Sequence, residues 1–111
     1  MNVNLEYYRI FYYVAKYQNF TRAARAMGNS QPNITRAMNL LEQEIHCTLL
    51  IRTNRGVRLT PEGEKLYMRV SAAMEQLQTA EEELHDSSGL EHGSIAIGAS
   101  ETALNIYLLE K

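Results

Sequence analysis

Hydrophobic residues recur at helical spacing in the first segment of the chain, residues 4–18, which predicts an amphipathic helix. Asn4 is a suitable N-cap for this helix, because its side-chain oxygen can accept a hydrogen bond from a free N–H of the first turn. The hydrophobic stripe that follows consists of Leu5, Tyr8, Phe11, Tyr12 and Ala15.

Two further helices follow. Asn19 caps a short second helix, which Gly28 ends because glycine readily adopts the positive φ of a helix C-cap. Ser30 caps a third helix that carries Pro32 in its first turn, where the missing N–H costs nothing. The apolar face of the third helix comprises Ile34, Ala37, Met38, Leu41 and Ile45. Two short helices around Gly28-Asn29 are typical of a helix-turn-helix, although other helical hairpins share this pattern.

A short β-hairpin is predicted directly after the third helix. Residues 49–53 and 57–59 read as strands on either side of Asn54-Arg55-Gly56. The basic residues of this hairpin are Arg52, Arg55 and Arg58. A basic hairpin in this position indicates a wing, so the expected fold is mainly α: a winged helix-turn-helix of three helices plus a small hairpin, with a core that includes Leu5, Phe11, Phe20, Ala24, Ile34 and Leu41.

A long fourth helix is predicted over 61–86, capped by Thr60 and ended by Ser87-Ser88-Gly89. Hydrophobic residues along it alternate spacings of four and three, which is typical of a coiled-coil seam. The seam consists of Leu66, Val70, Ala73, Leu77, Ala80 and Leu84. It could pack within the chain, but a single helix beyond a small domain has little to pack against. A second copy is therefore the favoured partner. The expected units of the chain are a winged helix-turn-helix domain at 1–60, a linker and dimerisation helix at 61–86, and a remainder at 87–111.

The overall net charge of −2 hides two halves of opposite charge. Residues 1–60 carry eight Lys and Arg against three Glu, a net charge of +5, whereas residues 61–111 carry three Lys and Arg against ten Asp and Glu, a net charge of −7. Such a division indicates that the first half faces a polyanion.

Neither catalysis nor metal binding is predicted. His46, Cys47, His85 and His92 lack the paired spacing of a metal site, and no carboxylate pair is placed for acid–base chemistry. We therefore expect no cofactor. The lone cysteine suits a reducing cytoplasm, and no segment is long and apolar enough to predict a membrane span or a secretion signal.

Several motifs resemble the N-terminal domain of LysR-type transcriptional regulators. They include Phe20-Thr21-Arg22-Ala23-Ala24, Ser30-Gln31-Pro32, Thr35-Arg36, Leu41-Glu42, Glu44-Ile45 and the run from Arg52 to Gly63. The resemblance covers residues 1–86 without gaps. The segment Gly93-Ser94-Ile95-Ala96-Ile97-Gly98 is similar to the first strand of that family's effector-binding domain. Residues 87–111 are therefore expected to be a hinge and the first residues of that domain, the rest of which would be missing.

The resemblance implies a regulator that binds interrupted dyads in bacterial promoters, at the nucleoid in the cytoplasm. It implies antiparallel pairing of linker helices into a homodimer, with tetramers in full-length members. A small-molecule effector would act only through the absent domain, and RNA polymerase is a further candidate partner.

The candidate DNA contacts lie on the third helix and the wing. They are Ser30, Gln31, Pro32, Thr35, Arg36, Asn39, Arg52, Arg55 and Arg58. Arg36 can pair with guanine, Gln31 and Asn39 can address adenine, and Pro32 and Thr35 can touch the thymine methyl group. Three alternatives stay open: a solvated helix face, wing charges that only prevent strand aggregation, and a winged helix that binds another protein.

Overall fold

The computed structural model describes residues 3–93, which form four helices and one hairpin. The elements in chain order are α1 (Leu5–Tyr17), α2 (Phe20–Met27), α3 (Gln31–Ile45), β1 (Leu50–Thr53), β2 (Gly56–Leu59) and α4 (Pro61–Gly93). The mainly α, winged helix-turn-helix fold is confirmed. The strand predicted within residues 93–98 has all but its first residue outside the described part of the chain.

The three predicted N-caps of the first helices are confirmed. The side-chain oxygen of Asn4 accepts from the N–H of Glu6 at 2.8 Å, and that of Asn19 accepts from the N–H of Arg22 at 2.8 Å. The hydroxyl of Ser30 accepts from the N–H of Asn33 at 3.3 Å. These bonds satisfy backbone donors that a helix leaves free at its N-terminus.

The core lies where α1, α2 and α3 meet. Its fully buried side chains are Phe11, Val14, Ile34, Met38, Leu41 and Leu49. The prediction that Leu5 belongs to this core is wrong, because its side chain is 70% exposed. Hydrophobic residues occupy every side of α1, and the face that packs inward centres on Phe11 and Val14, opposite Leu5.

The hairpin is joined to the end of α1. A two-residue loop, Asn54-Arg55, connects the strands, and Gly56 belongs to β2, where it pairs with Thr53. Gln18, in the left-handed conformation at the C-cap of α1, accepts a hydrogen bond at 2.9 Å through its carbonyl from the N–H of Val57. Gly56 makes this approach feasible, because a Cβ there would collide with the Gln18 carbonyl oxygen.

The start of α4 is bound to the beginning of the hairpin through Thr60. Its backbone N–H donates to the Leu49 carbonyl at 3.0 Å, and its hydroxyl donates to the Thr48 carbonyl at 2.7 Å. The same hydroxyl accepts from the N–H of Gly63 at 2.9 Å, so Thr60 caps α4 as predicted. This buried network fixes the origin of the long helix relative to the wing.

The first turns of α4 belong to the same compact unit as the three-helix core and the wing, which is called the head below. Val70 is buried, Leu66 packs against the core, and the Tyr67 ring lies 5.9 Å from that of Tyr12. The first compact unit accordingly comprises Met1–Met74. Two residues assigned to the pairing seam, Leu66 and Val70, therefore have contacts with the hydrophobic core of their own chain.

The remainder of the seam is uncovered in the single chain. Leu77 and Leu84 are 62% and 70% exposed, and Ala73 and Ala80 are exposed as well. The helix continues to Gly93, so its predicted end at Ser87-Ser88-Gly89 is wrong. Glycine inside a helix costs only about 1 kcal/mol relative to alanine, and this segment contains no proline to stop the helix.

Candidate nucleic-acid interface

Helix α3 presents a polar face opposite the side that it buries in the core. Ile34, Met38 and Leu41 are fully buried. The polar face consists of Ser30, Gln31, Pro32, Thr35, Arg36 and Asn39, all exposed except Thr35, which is half-buried. The structure thus brings the six predicted α3 residues together on one side of one helix.

A hydrogen-bond network orders the N-terminal end of this face. The amide oxygen of Asn29 accepts from the N–H of Ser30 at 2.8 Å and from the amide of Asn33 at 3.0 Å. Arg36 donates to the amide oxygen of Asn33 at 3.3 Å. Sequence reasoning missed Asn33, although its spacing of four from Asn29 and three from Arg36 is that of helical neighbours.

A second contact ties this end of α3 to α2. The Thr21 hydroxyl lies 3.3 Å from the side-chain oxygen of Gln31 and donates to it. Gln31 is exposed, so its NH₂ group is accessible to a ligand. Gln31 thus links the start of α3 to α2 while its NH₂ group stays available to a ligand.

Arg52 lies against α3 rather than extending freely from the wing. Its guanidinium donates to the amide oxygen of Asn39 at 2.7 Å and lies 3.7 Å from a carboxylate oxygen of Glu42. It also stacks over the Phe20 ring, 5.3 Å from the centroid. One residue of β1 thus links the wing to both helices of the helix-turn-helix.

Glu42 is a structural residue that sequence reasoning did not single out. One oxygen of its half-buried carboxylate accepts from the N–H groups of Leu49 and Leu50, at 2.8 and 3.0 Å. The other oxygen faces Arg52. The feature of the sequence that could have indicated this role is the position of an acidic residue directly after Leu41, which is buried in the core.

The other two wing arginines are exposed. Arg55 lies in the loop, where its N–H donates to the Thr53 hydroxyl at 3.2 Å, and Arg58 lies opposite Ile51 in the hairpin. A shallow groove separates the wing from the helices and is lined by Phe20, Thr21, Gln31, Arg52, Thr53 and Arg55 among others. The wing therefore places positive charge beside the polar face of α3.

Two other kinds of site were sought in the described part of the chain. Among the side chains that the structure describes, those of residues 3–86, no group of three or more His, Cys, Asp and Glu could hold a metal ion. None of the helices described is both long and apolar enough to cross a membrane.

A family model described as "Bacterial regulatory helix-turn-helix protein, lysR family" matches residues 5–64, which is more than half of the chain. Together with the winged helix-turn-helix fold, this match identifies the class of protein. The chain belongs to the LysR family, as the sequence resemblance implied.

Named relatives agree with this assignment. The chain is 37% identical over 97 residues to the HTH-type transcriptional regulator BbuR of Bordetella bronchiseptica, covering 87% of this chain and 30% of that protein. It is 39% identical over 99 residues to a probable cat1 operon transcriptional activator of Acinetobacter lwoffii, covering 85% and 33% respectively. The chain thus spans about a third of the length of these relatives, which are named as regulators rather than enzymes.

The fold is also similar to a solved structure that contains DNA. The BenM_DBD in its complex with benA site 1 DNA superposes with a TM-score of 0.68 at 30% identity. The similarity covers 75% of this chain and 96% of that one. The similar region therefore extends over almost the whole of that solved chain.

Proposed function

We propose that this chain is the DNA-binding part of a bacterial transcriptional regulator that recognises promoter dyads as a homodimer. Such a protein has no catalytic role and acts at the nucleoid in the cytoplasm. The observation that carries the proposal is the exposed polar face of α3, which is held on a buried core and flanked by basic wing residues. The solved DNA complex of a similar domain supports it.

In this proposal the polar face of α3 enters the major groove. An α-helix fits that groove, and Gln31, Arg36 and Asn39 carry the hydrogen-bonding groups that base edges can meet. Pro32 and Thr35 add small apolar surfaces suited to a thymine methyl group. Ser30 lies at the start of the helix, where its position favours a phosphate contact.

The wing contributes charge next to that groove. Arg55 and Arg58 are exposed and free to contact phosphates or the adjacent minor groove. Arg52 has a different role, because its guanidinium is already engaged with Asn39 and Glu42. We therefore assign Arg52 mainly to fixing the wing against α3.

The dimer in this proposal forms through α4. Leu77 and Leu84 leave large apolar side chains in water in the single chain, at the heptad spacing of a helix-pairing seam. Ala73 and Ala80 are the small residues that alternate with these leucines along the seam. A second copy would bury this part of the seam.

A gel-shift titration with promoter DNA at several salt concentrations tests DNA binding directly. Two heads that together contact about 6–10 phosphates should lose affinity by about 10³–10⁵-fold between 50 and 200 mM salt. The variant Arg55→Gln, which removes one proposed phosphate contact, should bind more weakly and with a shallower salt dependence. Binding that does not change with salt would contradict the proposal and favour a winged helix that docks on another protein.

A further inference from the structure

The orientation of the Asn39 side chain is fixed by Arg52. The guanidinium lies 2.7 Å from one atom of the Asn39 amide. Because a guanidinium carries donors and no acceptor, the amide atom that faces it is the oxygen. The Asn39 NH₂ group is consequently the part of this exposed side chain that remains available to a ligand.

Arg52 is itself held from three sides. Its guanidinium contacts Asn39, lies 3.7 Å from Glu42 and stacks on the Phe20 ring. Glu42 is anchored in turn by the backbone N–H groups at the start of the hairpin. A continuous set of contacts thus runs from the hairpin backbone to Asn39, and turning the amide over would break a charge-assisted hydrogen bond.

We propose that Arg52 is a positioning residue that makes Asn39 present only donors to DNA, so that Asn39 selects guanine over adenine. This inference rests on the proposed function. A free asparagine pairs with adenine by accepting from N6 and donating to N7, which requires both amide atoms. Guanine presents two acceptors, N7 and O6, and the NH₂ group of Asn39 can address these without leaving Arg52.

Two other residues on the polar face of α3, Gln31 and Arg36, also present hydrogen-bond donors to a ligand. The amide oxygen of Gln31 accepts from the Thr21 hydroxyl, which leaves the NH₂ group of this exposed side chain for a ligand. Arg36 itself has only donors. Gln31, Arg36 and Asn39 therefore all present donors on this face, and donors match base edges rich in acceptors, which are those of guanine.

Selection of binding sites from a random duplex library with the full 111-residue chain tests the inference. The position read by Asn39 is the one whose base preference disappears in Asn39→Ala. At that position the unsubstituted protein should favour guanine over adenine by at least about fivefold, the lower end of discrimination by a bidentate pair. Arg52→Met should shift the preference to adenine, because the Asn39 oxygen is then free.

Methionine keeps an unbranched apolar chain over Phe20. The melting temperature of the Arg52→Met variant establishes whether it is folded. Arg9→Met is the control, since it removes an arginine that is paired with Glu6 on α1 and does not contact Asn39, and it should leave the guanine preference unchanged. Should Arg52→Met fail to fold, Asn39→Asp provides a second variant. Its carboxylate has no donor, so the guanine preference should be lost.

The outcomes separate this inference from the function on which it rests. Recovery of no common sequence by the unsubstituted protein would overturn the proposed function. Recovery of a dyad with adenine at the Asn39 position, or with no position sensitive to Asn39→Ala, would overturn the inference alone. A guanine preference that persists in a folded Arg52→Met variant, or in Asn39→Asp, would do the same.

Discussion

Gly28 and Gly56 both have positive φ, yet their surroundings differ. Gly56 has a φ of 134°, and a Cβ there would collide with the Gln18 carbonyl oxygen. Gly28 has a φ of 65° in the turn of the helix-turn-helix, with open space where a Cβ would lie. The cost of a side chain at Gly28 is therefore conformational, whereas at Gly56 a steric cost is added.

We expect Gly56→Ala to reduce the free energy of unfolding more than Gly28→Ala does. Alanine in the left-handed region costs about 1–2 kcal/mol, which sets the expectation for Gly28→Ala. Gly56→Ala should exceed this, because either the Gln18–Val57 hydrogen bond or the hairpin must shift. Urea denaturation of both variants measures the difference. Equal losses would indicate that the contact between the hairpin and α1 is unimportant for stability.

Arg36 is exposed on α3, and its hydrogen bond to Asn33 is also exposed. Arg36→Ala should therefore leave the melting temperature nearly unchanged and weaken specific DNA binding by about 1–3 kcal/mol. Competition between a selected site and random DNA measures this loss. Arg9→Ala, which removes an exposed arginine paired with Glu6 on α1, is the control and should retain discrimination. Unchanged discrimination in Arg36→Ala would exclude base readout by this residue.

At the scale of the elements, Glu42 connects α3 to the hairpin. Glu42→Ala leaves the N–H groups of Leu49 and Leu50 without their carboxylate partner. Hydrogen bonds to charged groups contribute about 1.5–3 kcal/mol each, so we expect a loss of stability of at least about 1.5 kcal/mol. Glu44→Ala, on the exposed side of the same helix, should change stability by less than about 0.5 kcal/mol. Thermal unfolding of the two variants compares them, and similar losses would contradict the assigned role of Glu42.

The elements that could be predicted from sequence are those determined by neighbouring residues. Asn4, Asn19 and Ser30 bond to N–H groups two or three residues ahead, so the sequence alone contains both partners. The polar face of α3 follows equally from helical periodicity. The order of helices and hairpin was predictable for the same reason.

What could not be predicted depends on contacts between residues distant in sequence. Leu5 fits the hydrophobic periodicity of α1, but the core packs against another side of that helix. The contacts of Arg52 within the chain could not be predicted, because its partners Phe20, Asn39 and Glu42 belong to other elements. Periodicity alone does not distinguish an apolar stripe buried within the chain from one available to a partner, so the burial of Val70 in the single chain could not be predicted.

At the scale of the whole molecule, α4 joins the head to the proposed dimer. Leu77 is 62% exposed in the single chain, so Leu77→Glu removes no contact of the head with its own core. In a dimer the same substitution would bury an unpaired carboxylate on each side of the seam, which is strongly disfavoured. We therefore expect a folded monomer, with helical content and melting behaviour of the head retained and with weaker binding to a two-site dyad.

Sedimentation velocity of Leu77→Glu measures the change in mass, and Met68→Glu is the matched control. Met68 is 68% exposed on the same helix but lies off the heptad positions, so this variant should sediment like the unsubstituted protein. Loss of a pairing partner should reduce affinity for a full dyad far more than for a half-site, because one bound head no longer holds the second near its site. An unaltered dimer in Leu77→Glu would place the pairing surface elsewhere than on Leu77 and its heptad neighbours.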